Sequence, residues 1–385
     1  MQEVSGSTPL SSTINPSPDH GGGFSNSAPA QDAPPHCPAR AHRLSPQRKR
    51  PVVGAFQGAW LMMPSGSGLV TVFGGSGFVG TQVVRALARR GLRVRVAVRN
   101  PNLAHDLKPL GDVGQVMPVY GDITDAETVR NAVAGADVVI NLVGILYERP
   151  GSKAFERIHV EGARTVAEAA KAAGARRMVQ MSAIGADPNS ESAYARSKAQ
   201  GEAAVAEVFP GAAIVRPSIV FGPGDGFFNR FATMSGIAPA LPLIGGGQTR
   251  FQPVFVGDVA EAVARVATDP ALAGQTVELG GPTVVTFEEV LKMIARETGR
   301  HRLLLPLPFP VARAIGSVAQ LTTLIGIPPV LTRDQILLMQ TDNVVAEGAT
   351  GLGDLGIEPT GMAAVVPNYL WRYRRGGQFA EQPVG

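Results

Sequence analysis

Cysteines and histidine clusters, the usual markers of disulfides and metal sites, are nearly missing from this chain. Its 385 residues include one cysteine, Cys37, and six histidines. A single cysteine cannot form an internal disulfide. Because Cys37 precedes every predicted strand, the predicted folded part has no thiolate for catalysis or metal binding. The histidines lack the spacing of metal ligands. We therefore expect neither a disulfide-stabilised fold nor a metal site.

The chain also lacks a strong excess of one charge and a long apolar run. Residues 63–385 contain 30 basic and 28 acidic side chains, which does not predict a nucleic-acid partner. Residues 314–331 are uncharged, but Pro328 and Pro329 would break a helix that crossed a membrane. We expect a buried helix and a loop there. The alternative is a surface that contacts a membrane or a partner.

The first 62 residues differ in composition from the rest. They contain nine prolines, eight serines and almost no apolar periodicity. Such a segment cannot bury enough surface to offset its ordering entropy, so we expect residues 1–62 to be disordered. They have no apolar core of a signal peptide, although a mitochondrial-type presequence is possible. The alternative that we favour is a start codon assigned too early, with Met63 as the natural start.

From residue 68 onward, strand-like apolar runs alternate with helical patterns. The predicted strands are 68–73, 92–98, 115–120, 137–143, 176–181 and 212–216, and the helices between them are 78–90, 125–134, 153–173 and 192–208. This alternation predicts an α/β fold with a doubly wound parallel sheet of the Rossmann type over residues 67–222.

Beyond residue 222 the alternation ends. Short strands at 252–256 and 276–280 and a helix at 258–268 are expected to return to the main sheet. Helices at 286–298, 310–324 and 361–375 are expected to form a cap. Residues 223–385 are thus predicted to be a smaller C-terminal cap interleaved with the last strands of the sheet.

A glycine-rich turn, "TVFGGSGFVG" at residues 71–80, follows the first predicted strand. Its spacing places Gly74, Gly77 and Gly80 between a strand and a helix, where backbone N–H groups can approach a pyrophosphate. The second strand ends at Arg99, where an NAD-specific fold places an acid. A guanidinium suits a phosphate, so we predict NADP(H) as the cofactor. The alternative is a solvated arginine.

Two further stretches fit a dinucleotide site by their order in the chain. Asp122 and Ile123 follow the third strand, where a carboxylate could accept a hydrogen bond from the adenine amino group. Leu142, Val143 and Gly144 end the fourth strand, beside the expected ribose and nicotinamide. Either stretch could also be an ordinary junction between a strand and a loop.

A catalytic pattern follows the fifth strand. Tyr194 and Lys198 are four residues apart on a predicted helix and share a face, and Ser182 lies at the end of the strand. A tyrosine hydroxyl can transfer a proton to a substrate oxygen while hydride moves to or from nicotinamide. A nearby ammonium lowers the phenol pKa, and a serine hydroxyl can hold the carbonyl. A packed tyrosine and a solvated lysine are the alternative.

The order of these motifs resembles the extended or atypical short-chain dehydrogenase/reductase superfamily. The stretches "VRPSIVFGPGDGFFNRFA", "QPVFVGDVA", "LTRDQILLMQTDNVV" and "LGDLGIEPT" are similar to the nucleotide-binding accessory subunit (alpha subcomplex subunit 9 type) of respiratory complex I. The likeness runs from about residue 68 to 375. It implies a tightly bound NADPH that is not an electron carrier, other complex I subunits as partners, and a peripheral position near the membrane and the quinone site.

The resemblance also implies which residues contact the cofactor. Carried over by position, they are Gly74, Gly77, Phe78, Val79, Gly80, Arg99, Asp122, Ile123, Leu142, Val143, Gly144, Tyr194, Lys198 and Pro217. Dehydrogenase activity is generally absent from this family, yet Ser182, Tyr194 and Lys198 are retained. An active reductase or epimerase, or a free NADPH-sensing regulator, is therefore an open alternative. The implied location is the cytoplasmic face of a bacterial inner membrane, the mitochondrial matrix side, or the cytoplasm for a free protein.

Two remaining features of the sequence are given no catalytic role. His159 lies in an alanine-rich helical stretch, and we interpret it as packed beside the cofactor loop rather than as a catalytic base. Residues 371–377, "WRYRRGG", combine three cations with two aromatic rings. That composition suits a contact with acidic lipid or a protein groove, and a solvated helix end is equally compatible with it.

Overall fold

The computed structural model describes residues 68–149, 151–320, 322 and 331–379. The prediction for residues 1–62 lies outside these ranges, as does most of the second half of the uncharged stretch 314–331. Among the described residues, no helix is both long enough and apolar enough to cross a membrane.

Strands and helices alternate through the first part of the chain. The elements are β1 (Leu69–Phe73), α1 (Phe78–Arg89), β2 (Arg93–Val98), β3 (Val116–Tyr120), α2 (Ala126–Val133), β4 (Val138–Asn141), α3 (Gly162–Ala172), β5 (Arg177–Met181), α4 (Ala193–Val208) and β6 (Ala213–Pro217). A 3-10 segment, Pro101–Leu110, precedes β3, and a π-helical turn, Glu156–Glu161, runs directly into α3. The 3-10 segment was not predicted, whereas the π-helical turn lies within the helix predicted at 153–173.

The second part has shorter strands. Its elements are β7 (Val220–Phe221), α5 (Phe228–Ile237), β8 (Ala240–Ile244), β9 (Arg250–Phe251), β10 (Val254–Phe255), α6 (Val256–Thr268), β11 (Thr276–Leu279), β12 (Val285–Thr286), α7 (Phe287–Thr298), β13 (Leu303–Leu307), α8 (Phe309–Gln320), α9 (Arg333–Leu338), α10 (Met362–Val365) and α11 (Pro367–Leu370).

Seven strands form one parallel sheet in the order β3-β2-β1-β4-β5-β6-β11. Strand β1 pairs with both β2 and β4. Successive strands are therefore added on one side of β1 up to β3 and on its other side from β4 onward, so the strand order reverses between β1 and β4. Such a reversal creates the crevice in which doubly wound sheets bind ligands. The predicted doubly wound fold is confirmed, and β11 joins the sheet as expected.

Helices cover both faces of this sheet, and the side chains of β1 show why. Val70 and Val72 pack into the cluster formed with α1 and α6, whereas Phe73 packs into the opposite cluster with α2 and α3. Thr71 lies on the second face, where its buried hydroxyl donates to the carbonyl of Ala132. Strand side chains alternate between faces, so a strand buried on both sides is mostly apolar, and the one polar side chain of β1 forms a hydrogen bond.

The structure corrects two predictions about the cap. Residues 252–256 do not form a strand of the main sheet, because Pro253 has no N–H to donate and separates β9, which pairs with β12, from β10, which pairs with β7. The helix predicted at 361–375 is not continuous. Helix α10 ends at Val365, Pro367, which has no N–H, begins α11, and the chain continues as a 3-10 turn at Trp371–Tyr373.

A third hydrophobic cluster lies in the cap. Phe228, Phe231 and Phe287 are fully or almost fully buried there, and the rings of Phe231 and Phe287 are 5.4 Å apart. The parallel pair of β8 and β13 borders this cluster and was not predicted. Leu304 and Leu307 of β13 pack inward, while Leu303 and Leu305 are exposed.

Candidate functional site

A cavity of about 360 Å³ opens at the carboxyl ends of β1, β2, β3 and β4. Eight residues of the predicted cofactor set line it: Gly74, Gly77, Arg99, Asp122, Ile123, Leu142, Val143 and Gly144. Nine more lining residues were not predicted: Phe73, Ser76, Ala97, Val98, Gly121, Thr124, Ile145, Arg157 and Ile158. Four separate loops therefore meet at the position where the strand order of the sheet reverses.

The glycine turn joins β1 to α1 as its spacing suggests. Gly74 has φ +77°, a conformation that disfavours other residues, and its carbonyl accepts a hydrogen bond from the N–H of Gly77 at 3.1 Å. A Cβ on Gly80 would lie 2.2 Å from that carbonyl oxygen, so α1 packs directly on the turn. Phe78, Val79 and Gly80 begin α1 and do not line the cavity.

The N-terminus of α1 has no side chain that competes for an anion. Its N-cap is Gly77, which makes no capping side-chain bond, and the first turn contains no acidic residue. The first N–H groups of a helix lack intrahelical partners and carry a partial positive charge. This end of α1 can therefore hold a phosphate group of a ligand in the cavity.

Two arginines line the cavity from opposite sides of β1. Arg99 follows β2, and Arg157 lies on the π-helical turn after β4. Both side chains are exposed, and neither forms an ion pair or a hydrogen bond with any residue that the structure describes. Their charges are therefore available to an anionic ligand. Arg157 was not predicted from the sequence. It is far from Arg99 along the chain, and nothing in the sequence indicates that the two residues line the same cavity.

Asp122 shapes the loop after β3. Its Oδ1 atom accepts hydrogen bonds from the N–H of Thr124 at 2.9 Å and from its hydroxyl at 2.8 Å. Ile123, between them, is buried against α3 and contacts the position of a Cβ on Gly162 at 2.7 Å. The turn leaves the second oxygen of Asp122 able to accept a hydrogen bond from a ligand on the cavity wall.

A buried amide pair fixes the loop after β4. The Nδ2 atom of Asn141 donates to Oε1 of Gln180 at 2.9 Å, and its Oδ1 accepts from the N–H of Val143 at 3.1 Å. Asn141 is 1% exposed, so its amide is held by protein groups alone. This places Leu142, Val143 and Gly144 on the cavity wall.

Lys198 and Ser182 lie together at the end of β5. The Lys198 ammonium donates to the carbonyl of Met181 at 2.7 Å, and burial lowers the pKa of Lys198 to about 8. Ser182, the next residue, has a buried hydroxyl oxygen with no hydrogen-bond partner among the described residues. A buried polar atom without a partner is costly, so this hydroxyl is a natural contact for a ligand oxygen.

Tyr194 lies one turn before Lys198 on α4. Its hydroxyl makes no hydrogen bond to a described residue, and burial, with a smaller contribution from Asp334, raises the pKa of Tyr194 to about 12. The phenol is therefore protonated at neutral pH and can donate a proton or a hydrogen bond. Neither Tyr194, Lys198 nor Ser182 lines the cavity described above.

His159 packs behind the cavity as a neutral imidazole. Its Nε2 atom accepts from the N–H of Ile145 at 3.0 Å, and its Nδ1 atom lies 2.8 Å from the hydroxyl of Ser197. Burial, with the charge of Lys198, lowers the pKa of His159 to about 3. Since Nε2 accepts, the single proton lies on Nδ1, and Ser197 in turn donates to the carbonyl of Tyr194.

Pro217 is set apart from the cavity. It ends β6, and its carbonyl accepts from the N–H of Ile184, so it supports the loop that follows Ser182. The preceding Arg216 forms ion pairs with Glu202 at 2.6 Å and Glu278 at 3.4 Å. Pro217 thus borders the same end of the sheet without lining the cavity.

Comparison with known proteins gives the family. The sequence pattern of the NAD dependent epimerase/dehydratase family matches residues 70–280. This chain belongs to that family. The family binds NAD(P), which agrees with the predicted cofactor class. The dTDP-glucose 4,6-dehydratase DesIV of Streptomyces venezuelae, solved with NAD bound, has a TM-score of 0.62 at 21% identity, over 80% of this chain and 98% of that chain. At that identity the likeness concerns the fold alone.

The similarity to curated proteins is more specific. The mitochondrial NADH dehydrogenase [ubiquinone] 1 alpha subcomplex subunit 9 of Arabidopsis thaliana is 36% identical over 81% of this chain and 79% of its own length. The predicted resemblance to this subunit type is confirmed. A ceramide reductase of Caulobacter vibrioides is 33% identical over 67% of this chain and 79% of its own length.

Proposed function

We propose that this protein is an NADP(H)-binding accessory subunit of respiratory complex I in which the nucleotide is mainly structural. The single observation that carries the cofactor assignment is the cavity beside the glycine turn, where Arg99 and Arg157 form no ion pair with a described residue. The assembly assignment rests on relatives such as the Arabidopsis subunit. Together they favour a protein that holds a phosphorylated dinucleotide within a larger complex.

The charges in the cavity favour NADP(H) over NAD(H). An acid at the end of β2 would accept hydrogen bonds from the ribose hydroxyls of NAD. Here that position holds Arg99, and Arg157 adds a second cation. The carboxylate of Asp122 lies after β3 instead, and only its Oδ1 atom accepts from Thr124. Guanidinium groups bind phosphates through strong, charge-assisted hydrogen bonds, so a ribose phosphate is the ligand that matches them.

The residues around the crevice can hold a dinucleotide without turning it over. The N–H groups at Gly77 and the start of α1 would bind the pyrophosphate, Asp122 the adenine, and Lys198 a ribose hydroxyl. A bound NADPH could supply a hydride only where a substrate also binds, and the proposed structural role does not need this. Binding to the folded state alone stabilises by about 4 kcal/mol when ligand is a thousandfold above Kd, which is a large part of the stability of a typical domain.

Exposed apolar side chains support attachment to an assembly. Val311, Ile315 and Val318 are exposed at helical spacing along one side of α8. The 3-10 turn at Trp371–Tyr373 adds a half-exposed tryptophan and Arg372, whose guanidinium lies 5.1 Å from the centre of the Tyr373 ring. We propose a peripheral location on the hydrophilic arm of the complex, close to the membrane and the quinone site, on the cytoplasmic face in a bacterium or the matrix side in a mitochondrion.

Two variants distinguish binding of the cofactor from catalysis by the protein. Tyr194→Phe removes a hydroxyl but keeps the ring, so NADPH binding and quinone reductase activity in membranes should remain. Gly77→Asp places a carboxylate beside the pyrophosphate position, so NADPH binding and assembly of the complex should both fail. Co-purification of the unaltered protein with a membrane-bound NADH:quinone oxidoreductase is the direct test. Its absence from the purified oxidoreductase would contradict the assignment.

A second candidate is an active reductase of a small carbonyl compound. It is favoured by the Ser182 hydroxyl, which has no partner among the described residues, by the protonated Tyr194 and by the buried Lys198. Ser182 would hold the carbonyl oxygen, Tyr194 would donate the proton, and Lys198 would stabilise the resulting phenolate. The Caulobacter relative is named as a reductase. Loss of a cellular function in Tyr194→Phe, with NADPH still bound, would favour this candidate over the first.

A further inference from the structure

The helix that carries Tyr194 and Lys198 is capped from a distant part of the chain. The carboxylate of Asp334 accepts hydrogen bonds from the Ser192 hydroxyl at 2.8 Å, the N–H of Ala193 at 2.7 Å and the N–H of Tyr194 at 3.1 Å. Ser192, the N-cap, accepts from the N–H of Ala195 at 3.2 Å. The first three N–H groups of α4 are therefore all satisfied, two of them by Asp334.

Asp334 is itself held firmly. It lies in the first turn of α9, where Thr332 and Gln335 form a capping box. Helix α9 packs closely on α8, since a Cβ on Gly316 would lie 2.7 Å from the Cδ1 atom of Ile336. The carbonyl of Met339, after α9, accepts from the hydroxyl of Thr249. The carboxylate is thus fixed by the cap on both sides of α9.

The same segment contacts the site a second time. The Nδ2 atom of Asn343 donates to the carbonyl of Ile184 at 3.2 Å, two residues after Ser182. The Ser218 hydroxyl donates to Oδ1 of Asn343 at 2.7 Å, next to Pro217. Asp334 and Asn343 therefore support the two parts of the site outside the cavity: the start of α4 and the loop after β5.

We propose that Asp334 is a positioning residue of the cofactor site, which sets Tyr194 and Lys198 by fixing the first turn of α4 from the C-terminal segment. This inference rests on the proposed NADP(H) binding. The carboxylate acts at the helix N-terminus, where a negative charge is favourable and where two backbone donors orient it. Its effect is confined to the half of the ligand that α4 contacts, because the lining of the cavity comes from other elements.

The test compares two ligands that share the adenosine half. NADPH spans the whole site, whereas adenosine 2′,5′-bisphosphate lacks the nicotinamide half and needs only the cavity. Asp334→Asn is expected to weaken NADPH by about five- to tenfold. It should leave the bisphosphate nearly unchanged and alter the fluorescence of bound NADPH. General destabilisation would weaken both ligands alike. Calorimetry on the full chain measures both affinities.

A matched control lies in the same segment. Asp342 pairs with Arg250 at 2.7 Å and makes no hydrogen bond or ion pair with the described residues of α4, so Asp342→Asn should leave both affinities unchanged. A double-mutant cycle with Lys198→Met tests whether Asp334 affects NADPH binding through Lys198. If Asp334 acts through Lys198, the double variant binds NADPH about as well as Lys198→Met alone. Fully additive losses would mean that Asp334 does not act through Lys198 and would overturn the inference.

The outcomes separate this inference from the proposed function. If the unaltered protein binds neither ligand, the cofactor assignment itself fails. If it binds both, and Asp334→Asn changes the two affinities equally, only the role of Asp334 fails. Should Asp334→Asn not fold, Asp334→Glu keeps the charge and displaces it, with the same expected difference between the ligands. Joint loss of both ligands in both variants would overturn the inference.

Discussion

The neutral state of His159 predicts a specific acid sensitivity of the fold. The side chain is 2% exposed, and its pKa of about 3 compares with 6.5 for an ordinary histidine. Between these values the unfolded chain binds a proton that the folded protein does not. The stability that depends on neutral His159 is therefore present above about pH 6.5 and is lost progressively as the pH falls toward 3. At about pH 5 the loss amounts to about 2 kcal/mol, at 1.36 kcal/mol for each unit below 6.5.

The assay compares urea unfolding at about pH 7.5 and about pH 5 in the unaltered protein and in His159→Gln. Glutamine can accept from Ile145 and does not titrate, so the variant should lose less stability between the two pH values, by about 2 kcal/mol. Other titrating groups cancel in this difference. Exposed His105 gives the control, since His105→Gln should behave like the unaltered protein. An equal pH dependence in all three proteins would refute the neutral, buried imidazole.

Three substitutions test other parts of the site. Arg99→Ala should weaken NADPH by roughly ten- to a hundredfold and NADH little, and equal losses would show that Arg99 does not select the phosphate. Arg157→Gln should weaken NADPH by about tenfold, and an unchanged affinity would remove Arg157 from the site. Gly201→Ala would place a Cβ 2.1 Å from the carbonyl oxygen of His159, so it should lower the free energy of unfolding by about 1–3 kcal/mol. The control Gly236→Ala, in an open helix position, should be neutral or stabilising. Equal melting temperatures of the two variants would contradict the close packing at Gly201.

The parallel sheet and its glycine turn were predictable because their signals are local. Each strand is a short apolar run, and Gly74, Gly77 and Gly80 lie between an apolar run and a helical pattern, the context in which this spacing indicates a dinucleotide-binding turn. Tyr194 and Lys198 share a helical face by their spacing alone. The predicted strand at 252–256 and the predicted helix at 361–375 failed at Pro253 and Pro367. Apolar periodicity describes only where side chains are apolar, and it contains no information about the N–H that proline lacks.

The sequence by itself determined the layered α/β architecture, the glycine turn and the cation at the end of β2, since each depends on residues within one or two turns of one another. Only the tertiary structure showed that the Ser182 hydroxyl has no partner among the described residues. It also placed Arg157 on the same wall as Arg99 and brought Asp334 to the first turn of α4. These contacts join residues separated by up to 141 positions. Periodicity and spacing describe one element at a time, whereas such contacts depend on how separate elements pack.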